Sequence, residues 1–354
     1  MHSRRPILGH KVNFPLTLAP MVGLSHVALR LVVRSYLPEG ATTLWPTEML
    51  NSRRLPNEDF SKVPEILRAD EETDLVPQIL GNEEKAIALS IQRLIHEWGA
   101  SGIDINMGCP VQKALKHNYG VSLMGDAQYA AEVVRMAVKA SSLPVSVKLR
   151  AAGPQAGVQG PEYLFNFVKG LQEAGASWIC LHPRTAEQKR RGSADWTQIR
   201  ELRERISIPV IGNGDVQTSE DVFAMLNETH CDMVMAGRAL AARPWMMWQV
   251  GEKLGLASPR GREGQKAPQT REEEGAEYGR ALLYLISLSQ KYFSEDLAMR
   301  KIRFYIRTTS VWLMFGQELV SISTRSKTLT EMKELIHIFF SQPVEMLPRT
   351  ELRQ

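Results

Sequence analysis

The stretch Gly102-Ile103-Asp104-Ile105-Asn106-Met107-Gly108-Cys109-Pro110 is the most informative part of the sequence for the fold. Its first half is a short apolar run of the kind that forms a buried β-strand. Gly108 and Pro110 then favour a tight turn, because glycine tolerates unusual backbone angles and proline lacks an N–H for a ladder. The turn carries Cys109 at the end of the strand, where α/β proteins place their functional groups. The question for this chain is therefore what the Cys109 thiol faces.

Seven similar runs surround this strand and give the fold class. We predict strands at residues 16–20, 43–46, 75–80, 102–106, 145–149, 178–181, 210–212 and 233–236. Helical spacing of apolar residues predicts helices at 25–36, 83–98, 127–140, 161–174, 195–205, 219–227 and 245–254, whereas 50–66 is polar and reads as a long loop or short helices. Eight strands with helices between them over about 250 residues predict a (β/α)8 TIM barrel. A doubly wound open sheet is the alternative, and the missing G-x-G-x-x-G after the first strand disfavours it.

The composition changes after the predicted barrel. Residues 256–269 are rich in Gly, Pro, Ser and charged residues, as linkers are. The remaining periodicity is helical, over 272–290, 296–315 and 328–340, and predicts a smaller all-α domain. We expect a catalytic barrel at 1–255, a linker at 256–270 and a C-terminal helical domain at 271–354.

Composition and charge narrow the class of protein. The chain has 354 residues, 44% hydrophobic and 23% charged, with a formal net charge of +4, which permits an anionic partner without requiring one. Three cysteines, Cys109, Cys180 and Cys231, are too few for a disulfide framework and suit a reducing cytoplasm. The N-terminal arginines are not followed by a signal-peptide core, and no run approaches the roughly 20 apolar residues of a membrane span. We expect a cytoplasmic protein without a membrane segment.

Polar side chains follow nearly every predicted strand, so a barrel would collect them in one mouth. They include Glu48, Gln78, Asn106, Cys109, Lys148, Arg150, His182, Arg184, Asn213, Asp215 and Arg238. Surface loops alone would scatter such residues more evenly along the chain.

The turns after the seventh and eighth strands predict a phosphate site. Asn213-Gly214-Asp215 and Ala236-Gly237-Arg238 each combine a glycine with the start of a helix. Backbone N–H groups of such turns bind anions, and these are the two loops that bind phosphate in many TIM barrels. Arg238 would add a charge-assisted hydrogen bond. The alternative is that both glycines serve tight turns alone.

Lys148 and His182 admit several roles. A lysine at a barrel strand end can form a Schiff base, pair with a phosphate or hydrogen-bond a flavin ring. A histidine beside an apolar strand is often structural, and Cys180 and Cys231 lie among apolar residues that predict core packing.

The sequence resembles the tRNA-dihydrouridine synthases, which are FMN-dependent reductases of uridine in folded RNA. The matching motifs occur in the family's order across the whole predicted barrel. They are Ala19-Pro20-Met21-Val22-Gly23, Thr47-Glu48-Met49, Gln78-Ile79-Leu80-Gly81, Asp104-Ile105-Asn106-Met107-Gly108-Cys109-Pro110, Gly120-Val121-Ser122-Leu123-Met124, Val147-Lys148-Leu149-Arg150, His182-Pro183-Arg184-Thr185, Gly192-Ser193-Ala194-Asp195-Trp196, Asn213-Gly214-Asp215 and Gly237-Arg238 with Pro244-Trp245.

The resemblance implies a role for each matching residue. Contacts to the flavin are implied for Pro20, Met21 and Gln78, contacts to the isoalloxazine and nearby phosphate groups for Lys148 and His182, and contacts to the FMN phosphate and ribityl chain for Asn213, Gly214, Asp215, Gly237 and Arg238. Asn106 and Arg184 would contact the substrate, and Cys109 would be the proton donor. The implied partners are FMN, NADPH as reductant and tRNA; no metal site and no oligomer are expected. Pro183 stands where the family commonly has glycine, and proline removes a backbone N–H and fixes φ beside His182.

The helical tail is where the family places its RNA-binding domain. Two basic clusters are candidates for phosphate contacts: Lys189-Arg190-Arg191 after the sixth strand, and Arg300, Arg303 and Arg307, whose spacing of three and four predicts one helical face. A solvated charged surface is the alternative for both.

Saturating the C5–C6 bond of uracil needs a hydride at C6 and a proton at C5, and no side chain supplies a hydride. An ordinary cysteine has a pKa of about 8.5, which suits a proton donor at neutral pH. Four other functions stay open on the sequence: an FMN reductase of a small molecule such as a free pyrimidine or an enone, a dihydrouridine synthase of ribosomal RNA, an RNA-binding protein without catalysis, and an aldolase using Lys148.

Overall fold

Eight parallel strands form the centre of the protein, in a computed structural model that describes residues 4–9, 11–110, 116–152, 160–189 and 191–351. They are β1 Leu16–Leu18, β2 Trp45–Asn51, β3 Leu75–Leu80, β4 Ile103–Met107, β5 Val145–Arg150, β6 Trp178–His182, β7 Val210–Asn213 and β8 Met233–Ala236. Each strand from β2 to β7 pairs with the next one, and β8 pairs with β1. The predicted (β/α)8 barrel class is confirmed.

Side chains bridge the seam between β1 and β2. Thr17 Oγ1 donates to the carbonyl of Leu44 at 2.6 Å, and Thr43 Oγ1 donates to the carbonyl of Leu16 at 2.7 Å. These hydroxyls satisfy backbone acceptors that a regular ladder would otherwise bond, and a buried unpaired carbonyl is costly. The two edge strands are thereby held side by side.

Eight helices accompany the strands among the described residues. They are α1 Val27–Arg34, α2 Glu84–His96, α3 Ala127–Ala140, α4 Gly160–Glu173, α5 Trp196–Arg205, α6 Ser219–Thr229, α7 Arg238–Ala242 and α8 Met246–Lys253. The sequence did not predict α7, because five residues are too few to show a helical period.

The second strand differs from its prediction. It runs on through Asn51, so Thr47, Glu48 and Met49 lie inside β2 and do not follow it. The prediction ended this strand at Pro46. The register with β3 shifts between Pro46 and Met49, and such a bulge accommodates a proline within a strand.

The C-terminal part is helical, with a different division from the predicted one. It contains α9 Arg271–Tyr292, α10 Glu295–Thr309, a 3₁₀ turn at Ser310–Trp312, α11 Gly316–Arg325 and α12 Leu329–Phe339. The predicted continuous helix over 296–315 is wrong at its end, and α11 was not predicted. Phe315 has a left-handed φ of 60°, and a Cβ on Gly316 would lie 2.0 Å from the carbonyl oxygen of Ser310, so the chain turns back sharply there.

The helical tail packs directly on the barrel. Its buried apolar residues belong to the same continuous core as those of the barrel helices. Tyr305 Oη on α10 donates to the carbonyl of Ala241 on α7 at 2.9 Å, and the buried Arg243 lies 3.3 Å from Glu274 on α9. The domain boundaries at 255, 256–270 and 271 stay a prediction.

No described helix has the length and apolar character that crossing a bilayer requires.

Candidate functional site

A cavity of about 480 Å³ opens at the carboxyl ends of the barrel strands. Its volume lies within the range of about 300–1,000 Å³ that is usual for small-molecule sites. The structure places thirteen of the predicted residues in its wall: Pro20, Met21, Gln78, Asn106, Cys109, Lys148, His182, Arg184, Asn213, Gly214, Asp215, Gly237 and Arg238. Every one of them lies in the last three residues of a strand or follows one, which is why residues up to 218 positions apart along the chain meet here.

The turn that carries Cys109 is built by its own side chains. Asn106 Oδ1 accepts the backbone N–H of Gly108 at 3.1 Å and of Cys109 at 2.9 Å. This Asx-type turn bends the chain away from β4 and leaves the half-buried Cys109 in the cavity wall. Arg150 Nε braces the same turn from β5 by donating to the carbonyl of Gly108 at 2.9 Å.

Gly120 packs against the backbone of the Cys109 turn. A Cβ at this position would lie 2.6 Å from the Cys109 carbonyl oxygen, and φ of Gly120 is +57°. Val121 N–H donates to that carbonyl at 3.2 Å. The segment after the turn must therefore carry a glycine here for the Cys109 backbone to take its position.

A buried chain of hydrogen bonds fixes the polar floor of the cavity. Ser146 Oγ and Gln78 Nε2 both donate to the Asp104 carboxyl at 2.6 Å, and Asn106 Nδ2 donates to Gln78 Oε1 at 2.7 Å. Burial raises the pKa of Asp104 above its ordinary value, which the two donors oppose. Asp104 accepts from Gln78 Nε2, so Gln78 Oε1 faces Asn106. The hydrogen bond from Asn106 Nδ2 to Gln78 Oε1 then fixes the orientation of the Asn106 amide.

Lys148 points across the cavity from β5 toward β7. Its ammonium donates to Asn213 Oδ1 at 3.1 Å, and Asn213 Nδ2 donates to the carbonyl of Met235 at 2.7 Å. Both polar atoms of the Asn213 side-chain amide therefore form hydrogen bonds within the protein. Lys148 remains half-buried in the wall, with two further protons for a ligand.

His182 and Arg184 form a second polar group at the other side of the cavity. Arg184 Nη1 lies 3.3 Å from His182 Nε2, and Arg184 Nη2 lies 2.6 Å from Asp215 Oδ1. Since a guanidinium has no acceptor, His182 Nε2 must accept, and Nδ1 then carries the proton. Arg184 is 6% exposed, so its charge mainly orients His182 and Asp215.

His182 is a neutral imidazole in this setting. Burial is the largest cause that lowers its pKa, from 6.5 to about 2, and neighbouring positive charge adds to it. The cations concerned are Lys148, Arg150, Arg184 and Arg238. Such a density of positive charge around one cavity favours an anionic ligand group.

The turn between His182 and Arg184 explains the unusual Pro183. Arg184 N–H donates to the carbonyl of His182 at 2.8 Å, which closes a three-residue turn with Pro183 at its centre. The fixed φ of proline is compatible with this turn, so the departure from glycine leaves the Arg184–His182 contact intact.

The glycines in the turns after β7 and β8 pack closely against neighbouring side chains of the cavity wall. A Cβ on Gly214, whose φ is +119°, would lie 2.8 Å from the Ala194 Cβ, and a Cβ on Gly237 would lie 3.3 Å from Met21 Sδ. Asp215 turns its carboxylate away to the backbone N–H of Ala194, at 2.6 Å. The cavity thus has an apolar wall from β1, a polar floor and a basic end with two glycine turns, which fits a flat ring carrying an anionic tail.

Two residues of the tail line the cavity and were missed by sequence reasoning: Phe304 and Thr308 on α10. A phenylalanine within a helical pattern reads as core, and nothing in the sequence placed α10 over the barrel mouth. Arg150, Val22 and Met49 also line the cavity. Of these, Arg150 was expected at the mouth because it follows the fifth predicted strand, and it points the same way as Lys148, two positions earlier.

In the predicted basic cluster on α10, Arg303 differs from the other two arginines. Arg303 Nε and Nη2 donate to the carbonyls of Ser323 and Ser326 at 2.9 and 2.8 Å, where they satisfy the C-terminal end of α11. Arg303 therefore does not share the solvent-facing side of α10 with Arg300 and Arg307, which are both exposed.

In the other cluster, the exposed Lys189 and Arg191 turn their carbonyls inward. Arg150 Nη1 donates to the Lys189 carbonyl at 3.0 Å, and Arg184 Nε donates to the Arg191 carbonyl at 3.4 Å. Their loop thus stabilises two cavity arginines. Arg190 lies outside the described residues. Among those that are described, no group of three or more His, Cys, Asp and Glu side chains is arranged to hold a metal ion.

Comparisons with known proteins place this chain in a family. A family model described as dihydrouridine synthase (Dus) matches residues 17–333. A protein of Rhizobium leguminosarum bv. phaseoli named "Probable tRNA-dihydrouridine synthase" is 33% identical over 245 residues, which cover 69% of this chain and 73% of the relative. Proteins with the same name from Mycobacterium tuberculosis H37Rv and Aquifex aeolicus are 30% and 33% identical, over 85% and 67% of this chain and 75% and 72% of theirs. A solved structure of TcOYE with pHBA aligns over 70% of this chain and 91% of its own, at 10% identity and a TM-score of 0.48.

Proposed function

The chain belongs to the dihydrouridine synthase family, and on that premise we propose that it reduces uridine to 5,6-dihydrouridine in transfer RNA, with FMN as its flavin and NADPH as the reductant. One observation carries the proposal: Cys109, Lys148 and the glycine turns after β7 and β8 share the wall of a single 480 Å³ cavity. A thiol, a cation beside the expected ring and an anion-binding end are the three parts that the reaction needs.

The cavity residues divide between the two ends of the flavin. The apolar wall at Pro20 and Met21 would contact the ring, and Gln78 and Lys148 would hydrogen-bond its polar edge. At the other end, the backbone of Gly214 and Gly237, which lines the cavity, would approach the phosphate closely. The supporting residues there are His182, Asn213, Asp215 and Arg238, of which Asp215 acts through Arg184 because its carboxylate would repel a phosphate.

When bound and reduced, FMN supplies the hydride that C6 of uracil accepts. The protein supplies the rest of the reaction. The Cys109 thiol gives its proton to C5 from the opposite side of the base, and the Asn106 amide holds the uracil edge within reach of that thiol. Asn106 is suited to this role because Gln78 and the Cys109 turn fix both of its polar atoms in place. A preorganised donor and a preorganised clamp need little rearrangement in the transition state.

The target base lies stacked in folded RNA and must be extruded to reach the barrel mouth, at a cost of a few kcal/mol. Contacts to distant phosphates would offset this cost. Lys189 and Arg191 beside the cavity, and Arg300 and Arg307 on α10, are exposed cations suited to those contacts. The presence of α10 at the mouth favours a large substrate over a free pyrimidine or an enone.

The proposal is tested by Cys109→Ala under single-turnover conditions. With the flavin pre-reduced, this variant should bind flavin and unmodified tRNA as the wild type does, yet reduce uridine at least about a hundredfold more slowly, since general acids typically contribute 10²–10⁴ in rate. Cys180→Ala is the matched control, because Cys180 is buried in the barrel interior, where burial raises the pKa of its thiol to about 12. Near-normal reduction by Cys109→Ala would reject the proton-donor role.

The same preparation separates the other functions. Flavin absorbance in the purified protein distinguishes a flavoenzyme from an aldolase at Lys148. Dihydrouridine formed in tRNA, in ribosomal RNA or in neither distinguishes the RNA substrates from each other and from a small-molecule substrate.

A further inference from the structure

We propose that the Phe304 side chain is a stacking platform for a nucleobase of the RNA substrate at the rim of the cavity, with Arg300 and Arg307 holding the backbone phosphates on either side. This inference rests on the proposed function and adds to it a recognition residue from the helical tail.

Phe304 is an exposed aromatic residue in a functional wall. Its side chain lines the same cavity as Cys109, although it comes from α10 and not from a barrel loop. The residue is 42% exposed, so part of its ring is open to a ligand. Val22, 62% exposed, lines the same cavity from the β1 side. Phe304 and Val22 therefore give the rim of the cavity an exposed apolar face.

One side of the Phe304 ring packs against the loop after β1. A Cβ on Gly23 would lie 3.0 Å from Phe304 Cε1, so the ring sits on the bare backbone of the β1 loop. Gly23 N–H donates to Glu48 Oε2 at 2.6 Å, and Lys301, three residues before Phe304, lies 3.4 Å from Glu48 Oε1. A ring that already packs on one side loses less conformational entropy when a base stacks on the other.

The charge on either side of the ring suits a phosphate backbone. At 100° per residue, Arg300, Phe304 and Arg307 fall within a sector of about 60° on α10, and the two arginines are about 10 Å apart along the axis. Both arginines are exposed. Neither guanidinium forms a hydrogen bond or an ion pair within the described ranges of the chain.

A nucleobase fits this arrangement better than a protein surface. Aromatic rings interleaved with arginines are the usual means of holding unstacked bases, because every base has a π-face and every nucleotide has a phosphate. Extruding one base from folded RNA exposes the face of its neighbour. Phe304, at the rim of the cavity that would receive the extruded base, covers such a face.

The test is kcat/KM of the holoenzyme toward tRNA isolated from cells that lack this gene, for three substitutions of one residue. Phe304→Ala and Phe304→Leu should each lose about tenfold or more, and Phe304→Trp should stay within about twofold of the wild type, because stacking depends on the π-face and not on apolar volume. Flavin content and thermal unfolding should be the same in all three. Tyr284→Ala is the matched control, since Tyr284 is 44% exposed on α9 and does not line the cavity.

Two results would overturn the inference while the proposed function stands: a Phe304→Leu enzyme as active as the wild type, or a Phe304→Trp enzyme as impaired as Phe304→Ala. A wild type that forms no dihydrouridine in tRNA would instead reject the proposed function. If Phe304→Ala fails to fold, the Leu and Trp pair decides alone. Should the substitutions weaken binding of a protein partner and leave tRNA kinetics unchanged, the nucleobase assignment is wrong.

Discussion

The role of a single residue at this site is set by one or two hydrogen bonds that cannot be read from the sequence. Asn106 shows this: the sequence indicates an amide at a strand end, but its task in building the Cys109 turn needs the distances of 3.1 and 2.9 Å to two backbone N–H groups. Thirteen candidates in one cavity could be predicted, because the carboxyl ends of barrel strands converge whatever their loops do. Arg303 could not, because helical spacing gives its direction but not the carbonyls of α11 that it meets.

Replacing Gly120 tests the support of the Cys109 turn. Gly120→Ala places a Cβ 2.6 Å from the Cys109 carbonyl oxygen and forces alanine into a left-handed conformation, which costs about 1–2 kcal/mol. We expect a displaced thiol and at least about a tenfold loss in single-turnover rate, with flavin still bound. Gly170→Ala in α4 is the control, because a Cβ there has nothing within 4 Å. Unchanged turnover in Gly120→Ala would show that the turn is not supported in this way.

The neutral state of His182 predicts a pH dependence of stability. Its pKa is about 2 in the folded protein and about 6.5 when unfolded, so below pH 6.5 the unfolded chain binds a proton that the folded chain does not. Stability from this group is therefore present above pH 6.5 and is lost as the pH falls, by about 1.4 kcal/mol per pH unit. Between pH 7 and pH 5 the flavin-free wild type should lose about 2 kcal/mol more than His182→Asn in urea unfolding. Parallel losses in the two proteins would contradict a neutral, buried His182.

At the scale of elements, the barrel strands were predictable and the helical tail was less so. β3 and α3 begin and end where the sequence placed them, because buried strands and amphipathic helices have strong periodic patterns. The break after Thr309 was invisible, since residues 310–315 are apolar enough to continue a helix and the reversal depends on the left-handed Phe315. The crossing of α10 over the barrel mouth arises from tertiary packing alone.

The ion pair between β2 and α10 predicts how strongly these elements are joined. Glu48 and Lys301 are both buried, and burial raises the pKa of Glu48 while Lys301 opposes the rise. Lys301→Met leaves a buried carboxylate without its cation and should cost about 3 kcal/mol of unfolding free energy at pH 7. The double variant Glu48→Gln/Lys301→Met should recover part of that loss.

The control for this pair is an exposed one. Lys62→Met removes the ion pair of Lys62 with Asp59, whose side chains are 79% and 52% exposed, and should change stability by less than about 1 kcal/mol. If Lys301→Met costs no more than Lys62→Met in the same urea titration, the buried pair does not fasten α10 to the barrel.

Across the whole molecule, the exposed cations around the cavity mouth predict a salt-dependent affinity for RNA. Changing Lys189, Arg191, Arg300 and Arg307 to Gln should weaken tRNA binding and reduce the slope of log K against log salt by about 3, if each contacts one phosphate. The measurement is tRNA binding by fluorescence anisotropy from low to high salt.

A second quadruple variant controls for net charge. Lys62, Lys139, Lys169 and Arg205 lie in exposed ion pairs on barrel loops and helices, so neutralising them removes the same charge elsewhere. Its slope should stay at the wild-type value. Equal flattening in both variants would mean that overall charge, and not the cavity mouth, governs the affinity.

The most direct measurement is a map of dihydrouridine in tRNA from cells in which this gene has been deleted and then restored. The account predicts that particular dihydrouridines disappear on deletion, return with the wild-type gene, and stay absent when the restored gene carries Cys109→Ala. A map that deletion leaves unchanged, or one that Cys109→Ala restores in full, would contradict reduction of uridine at this cavity.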